Sequence, residues 1–206
     1  MITTNNKFNS LFNQILSEAK EPFDASKIEQ FKAENKQVTI IPARLQPMHI
    51  GHKSLIESAK YPVVILIVEG EKTSLDKDKN PLSFEDRKKV IEAAKLEKIV
   101  GILKINMASI PLMIDICRKS GFEPKELICG LDRQIGYKAQ IDKYASQLSA
   151  NIEVTVLERD EESEDVSGIS ATKVREAIRS NNYKAASKMM FNLTPELFNF
   201  LKEKLA

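Results

Sequence analysis

A doubly wound α/β fold, a five-stranded parallel sheet with helices on both faces, is what this sequence predicts, and three observations carry the expectation. Strand-type apolar runs and segments of helical periodicity alternate five times along the chain. Start and stop signals punctuate the helical segments: Ser83 with Asp86, Thr194 with Pro195, and Gly121 after a helix end. A chain of 206 residues, 42% of them hydrophobic, suffices for one ordinary α/β core with a terminal appendage. Strand, helix, strand in repetition is the Rossmann-like arrangement.

The elements follow in order. Residues 1–37 read as a helical N-terminal extension. Phe8, Leu11, Phe12, Ile15 and Leu16 repeat at helical spacing, and Ser26 with Glu29 makes a capping-box pattern beside Ile28 and Phe31. The extension is expected to pack on the core or on a partner subunit, so a homo-oligomer is compatible with it. Residues 38–206 form one domain, with C-terminal helices from about residue 181. Strands are predicted at Val38–Ile41, Val63–Val68, Ile99–Ile105, Leu127–Cys129 and Ile152–Leu157. Between and after them the periodicity predicts helices at His52–Lys60, Phe84–Ala94, Ile110–Ser120, Ile135–Leu148 and Ala171–Ser180. Tyr183–Met190 and Pro195–Leu205 are further helices, expected to cover one face of the sheet.

Composition narrows the partners. With 31 basic against 29 acidic residues and a net charge of +2, no global field draws in nucleic acid or an anionic membrane, and neither is expected. No apolar run reaches the roughly 18 residues that span a bilayer, and the start is polar, so a soluble cytoplasmic protein is expected. Cys117 and Cys129 lie in apolar contexts and read as buried core thiols, not as a disulfide framework. Two charge runs stand out. Lys72, Lys77, Lys79, Arg87, Lys88 and Lys89 flank one loop and helix, and residues 160–165 form an acidic stretch interrupted only by Ser163. Solvated surface accounts for both; the sharper reading closes the lysine-rich loop over an anionic ligand.

The only two histidines, His49 and His52, follow the first strand across a turn that contains Pro47. They sit where an apolar-periodic segment begins, so the two rings share one face at a helix start. A first helical turn offers unpaired N–H groups and the positive end of the macrodipole, which together favour phosphate oxygens. Gly51 between the histidines lets a ligand approach the backbone. Such a pair also fits a packing feature or half of a metal site. Zinc needs three or four ligands, the cysteines are remote, and no protein metal site is expected. Ser170, Thr172, Lys173 and Arg175 crowd a second helix start, two hydroxyls and two cations suited to a polyphosphate, or else an ordinary capped helix with a basic face.

These strings resemble the HxGH nucleotidyltransferase superfamily. PARLQPMHIGH (residues 42–52) is similar to the first motif of nicotinamide mononucleotide adenylyltransferases, and GISATKVR (168–175) to their late Ser-x-Thr-x-x-Arg signature. NPLSFEDRKKVI (80–91) is similar to the segment after their second strand, and CGLDR (129–133) to their Gly-x-Asp turn. Ala43, Leu45 and Met48 stand where the nicotinamide branch has a glycine and two aromatics. GISAT is also close to a cytidylyltransferase string, while Gln46-Pro47 and Arg175 favour the adenylyl side. The literal HIGH is similar to class I aminoacyl-tRNA synthetases too, but no Lys-Met-Ser-Lys-Ser string is present and a tRNA ligase is not expected.

The resemblance implies transfer of AMP from ATP to a phosphate-bearing acceptor with release of pyrophosphate, the leading acceptor being nicotinamide mononucleotide, giving NAD. A cytidylyltransferase using CTP and a pantetheine-phosphate-type adenylyltransferase are alternatives; a non-catalytic nucleotide-sensing protein is one of another class. The resemblance implies that His49 and His52 contact the triphosphate, His52 nearest the α-phosphoryl, and that Ser170, Thr172, Lys173 and Arg175 hold the outer phosphates. It implies that Arg44 and Gly51 lie against the nucleotide and that Gly130 and Asp132 border the nucleoside or acceptor. Lys53, Lys72, Arg87 and Arg133 are weaker candidates for the acceptor phosphate. Magnesium is implied as a companion of ATP, held mainly by the nucleotide and water.

Overall fold

The computed structural model describes residues 36–70, 75–148, 151–157 and 169–205. Five strands form one parallel sheet: β1 (Lys36–Ala43), β2 (Val63–Val68), β3 (Ile99–Ile105), β4 (Phe122–Gly130) and β5 (Glu153–Leu157), in the order β3-β2-β1-β4-β5. Helices α1 (Ile50–Ser58), α2 (Phe84–Ala94), α3 (Ile110–Lys119), α4 (Leu131–Leu148), α5 (Ala171–Arg179), α6 (Tyr183–Met189) and α7 (Pro195–Leu205) connect and cover it. This is the Rossmann-like α/β fold that the alternation predicts. The expected N-terminal helical extension falls outside the described residues except for Lys36 and Gln37, which begin β1.

The sheet is buried on both faces, because successive strand side chains point to opposite sides. Ile41, Ile65 and Ile67 pack in one layer with Ile56 of α1, Ile91 of α2, Val174 and Ile178 of α5 and Leu201 of α7. Val38, Ile40, Val64, Leu66 and Leu127 pack in the other with Met113, Ile114 and Cys117 of α3 and Tyr137 of α4. Both thiols are buried, and burial, with Glu123 adding to it, pushes that of Cys117 up to about 12. None of the helices among the described residues is long and apolar enough to cross a membrane.

The fourth strand runs well beyond the expected Leu127–Cys129. Its first half, Phe122 to Glu126, carries charges and Pro124, which interrupt the apolar run by which the strand is predicted. Here β1 shifts register against β4 between Val38 and Thr39, so that Val38 faces Pro124 and Thr39 faces Glu126 with Lys125 as the extra residue. Arg118 ties off Glu123 through two contacts of 2.8 Å. Glu126 is fully buried and accepts from the Thr39 and Thr155 hydroxyls, each at 2.6 Å, and from the Lys60 amide at 2.9 Å. Burial pushes its carboxyl upward, but these donors outweigh burial and hold it below the usual carboxylate range. Helix α4 also starts earlier than Ile135, directly at the end of β4.

The order of strands positions the site. Helix α1, which follows β1, packs on one face, and α4, which follows β4, packs on the other. Between the adjacent strands β1 and β4 the chain therefore departs in opposite directions, leaving a crevice beyond their carboxyl ends.

Candidate active site

The β1–α1 connection carries the histidines. His49 is the N-cap of α1 with extended backbone (φ −141, ψ 175), and His52 lies one turn on. Both are buried, 3% and 9% exposed, with ring centroids 3.9 Å apart. The His49 amide N–H donates to His52 Nδ1 at 3.2 Å. An amide nitrogen can only donate here, so Nδ1 accepts and the neutral ring of His52 carries its proton on Nε2. The backbone of the helix start thus fixes which nitrogen of His52 is a donor. Gly51 occupies the second position of α1.

Before the histidines the chain makes a tight turn. Leu45 is left-handed at φ 50, although its side chain is buried, and the Gln46–Pro47 peptide is cis. Each carbonyl flanking Leu45 accepts from a guanidinium: Arg44 O from Arg87 Nη1 at 2.9 Å, and Gln46 O from Arg175 Nη1 at 2.7 Å. The Gln46 amide adds a two-way contact with the Leu82 backbone, donating to its carbonyl and accepting from its N–H, both at 2.9 Å. A non-glycine residue persists in this conformation when its surroundings hold it there.

Helix α5 brings the late motif to the same turn. Ser170 is its N-cap, accepting from the Lys173 amide at 3.3 Å, and Arg175 Nη2 donates to Thr172 Oγ1 at 3.2 Å. Arg175 is 7% exposed; burial depresses the basicity of its guanidinium, and Arg179 adds to the effect. Its Nε is buried with no hydrogen-bond partner among the described residues. Ser170, Thr172 and Lys173 are exposed at the helix start. On the far side of the crevice Gly130 ends β4, and the exposed Asp132 in the first turn of α4 pairs with Arg133 at 3.1 Å. The Asp132 carboxylate folds back over the strand end, so close that a Cβ at Gly130 would lie 2.8 Å from Oδ1.

Other predicted residues stand differently. Arg87 is not turned toward a ligand: it is 2% exposed, and its donors go to the carbonyls of Ser83 (3.1 Å), Arg44 (2.9 Å) and Val68 (3.2 Å) and to the Glu69 carboxylate. Its place in a basic run made it look like surface charge; the tertiary fold buries it. Lys53 pairs with Glu57 at 2.7 Å and lies 4.9 Å from the Phe191 ring, along α1 and its neighbours. In the lysine-rich stretch, Lys79 pairs with Asp76 and Lys89 covers the Phe200 ring. Lys72 and the acidic run at 160–165 lie outside the described residues. Sequence reasoning missed Glu69, which follows β2 and binds both Arg87 and, at 2.6 Å, Lys104. A lone acid after an apolar strand was the available signal. Among the described residues no group of three or more His, Cys, Asp or Glu side chains could hold a metal ion.

A family model described as cytidylyltransferase-like matches residues 40–177, which include both histidines and Arg175. The fold is similar to that of a Vibrio parahaemolyticus protein assigned as a nicotinate-nucleotide adenylyltransferase, at TM-score 0.51 and 16% identity over 81% of this chain and 98% of that one. It is equally similar, at TM-score 0.51 and 12% identity over 82% and 95%, to the nicotinic acid mononucleotide adenylyltransferase of Plasmodium falciparum in complex with NaAD. No curated protein matches in sequence. At these identities the structural likeness establishes the shared fold.

Proposed function

The chain belongs to the cytidylyltransferase-like family, and from that premise we propose that it is an adenylyltransferase that joins AMP from ATP to a phosphate-bearing acceptor, most simply nicotinamide mononucleotide, with release of pyrophosphate. The observation that carries this reading is the histidine pair at the start of α1, with His52 held as an Nε2–H donor beside the switch point of the sheet. A phosphate oxygen of the acceptor attacks the α-phosphorus. The new P–O bond forms as the bond to the α,β-bridging oxygen breaks, and pyrophosphate carries away the charge. Near pH 7 the acceptor phosphate is already ionised, so no general base is required. Catalysis then consists of alignment and of stabilising charge on the α-phosphoryl oxygens.

In this reading His52 Nε2–H donates to the α-phosphoryl group and His49 supports it. Ser170, Thr172 and Lys173 hold the β- and γ-phosphates together with the charge of Arg175, whose Nη1 stays on the Gln46 carbonyl. Arg44 and Gly51 border the nucleotide; Gly130, Asp132 and Arg133 border the acceptor. Magnesium enters as part of the nucleotide substrate, bound by phosphates and water. The family's description favours one second reading, in which CTP replaces ATP at the same site.

The test is pyrophosphate release by the purified protein with magnesium. ATP and CTP are each offered with nicotinamide mononucleotide, nicotinic acid mononucleotide, phosphopantetheine, glycerol 3-phosphate and phosphocholine. Release with ATP and a pyridine mononucleotide is expected, and His52→Ala is expected to lower turnover at least about a hundredfold, the size of losing one transition-state donor. Turnover only with CTP would replace the nucleotide. Silence with every pair, with nucleotide still bound, would point to a sensing protein.

A further inference from the structure

The turn that delivers His49 and His52 is held from both sides by buried guanidinium groups, and one of them, Arg87, makes its hydrogen bonds with the protein itself. Arg87 projects from the first turn of α2. Its Nη1 bridges two carbonyls, Arg44 O on the β1–α1 turn and Val68 O at the end of β2, while Nη2 meets the Glu69 carboxylate and Nε returns to Ser83 O at the N-cap of its own helix. Glu69 is fastened in turn to Lys104, near the end of β3. One chain of contacts therefore runs along the carboxyl edge of three neighbouring strands and ends on the residue before the left-handed Leu45.

We propose that Arg87, charge-paired with Glu69, is a positioning residue for the histidine pair: it holds the Arg44–Gln46 turn so that the His49 amide meets His52 Nδ1 and leaves the proton on Nε2. Three features support the assignment. The four acceptors are spread around the guanidinium plane, a pattern that a lysine ammonium, with three donors at one point, cannot reproduce. Leu45 carries a Cβ in a conformation costly for any residue but glycine, so its turn depends on external restraint. Only three residues separate Leu45 from the N-cap, so a relaxed turn moves the His49 amide directly. The catalytic consequence rests on the function proposed above; the histidine geometry does not.

The experiment uses the full chain as Arg87→Lys and Glu69→Gln, with folding checked by circular dichroism. With only two histidines, ¹⁵N-histidine labelling gives two rings to follow, and in the wild type one ring is expected in the pure Nε2–H form at neutral pH. In Arg87→Lys that ring is expected to become a mixture of tautomers. Its kcat is expected to fall about 30- to 100-fold, the cost of a small misplacement of reacting groups, with less than about a threefold change in the triphosphate KM. Glu69→Gln, which keeps the guanidinium, should move both readouts in the same direction by less, and it decides the matter if Arg87→Lys does not fold. A folded variant with wild-type ring signals and wild-type kcat would overturn the proposal. If the wild type releases no pyrophosphate with any pair, the functional reading fails, and the ring signals alone still decide the positioning role.

Discussion

Leu45 offers a test in which two large effects oppose each other and the sign can be worked out beforehand. The residue is left-handed at φ 50 and 4% exposed. Cutting it back to alanine removes a buried side chain and leaves a cavity, at a cost of ~2–5 kcal/mol. The alanine still carries a Cβ, so the left-handed penalty of ~1–2 kcal/mol remains. Going on to glycine removes that penalty and adds ~0.4–1 kcal/mol of unfolded-state entropy. Leu45→Gly should therefore be more stable than Leu45→Ala by about 0.5–1 kcal/mol, although both are well below wild type. In an ordinary strand or helix the same change costs ~0.5–1 kcal/mol, so the order of the two variants is inverted here. Urea unfolding with an m-value near ~2 kcal/mol/M would separate the midpoints by roughly 0.25–0.5 M. An alanine variant as stable as the glycine variant, or more so, would show that position 45 is not left-handed and would remove the reason for the clamps on either side of it.

Three further outcomes follow from the same geometry. Gln46→Ala strips both contacts from the buried Leu82 backbone and should cost ~2–4 kcal/mol, since two main-chain groups lose partners; a thermal shift near zero would mean that water replaces the amide without loss. Glu126 has its pKa held below the unfolded value near 4.5, so its contribution is present above that pH and is lost as pH falls through the folded value. Stability measured from pH 6 to 3 should accordingly fall more steeply for wild type than for Glu126→Gln, and parallel curves would refute the assignment. Cys117, with its thiol pushed up to about 12 by burial, should resist a maleimide at pH 7 until denaturant is added; rapid labelling of the native protein at this position would show that the α3 layer opens.

Strand and helix order was legible because central strands of a parallel sheet are buried on both faces and write themselves as unbroken apolar runs, as Val63–Val68 does. The start of β4 was not, because Glu126 is admitted to a buried strand by partners far away in sequence, Thr39 and Thr155 among them. The early start of α4 was hidden by its polar first turn. In the candidate site the histidines were found by rarity and spacing, which are local properties. What Arg87 and Arg175 hold was not, since a guanidinium 43 residues from the carbonyl it caps leaves no trace in periodicity, and the second spans 129 residues. Sequence shows which groups are chemically suited to a phosphate; it does not show which of them the fold has already spent on its own backbone.

The two clamps on the Leu45 turn also differ in when they can form during synthesis. Arg87 is made soon after the turn it fastens, but β1 pairs with β4, and Gln46 waits for Arg175. At translation rates of ~5–20 residues per second, those 129 residues take roughly 6–26 s to emerge. Strand β4, complete at Gly130, joins β1 partway through that interval, but the turn keeps a single clamp until Arg175 is made. The nascent chain carries its histidines long before it has a place for a nucleotide, and the helix that closes the site is translated well after the loop it secures.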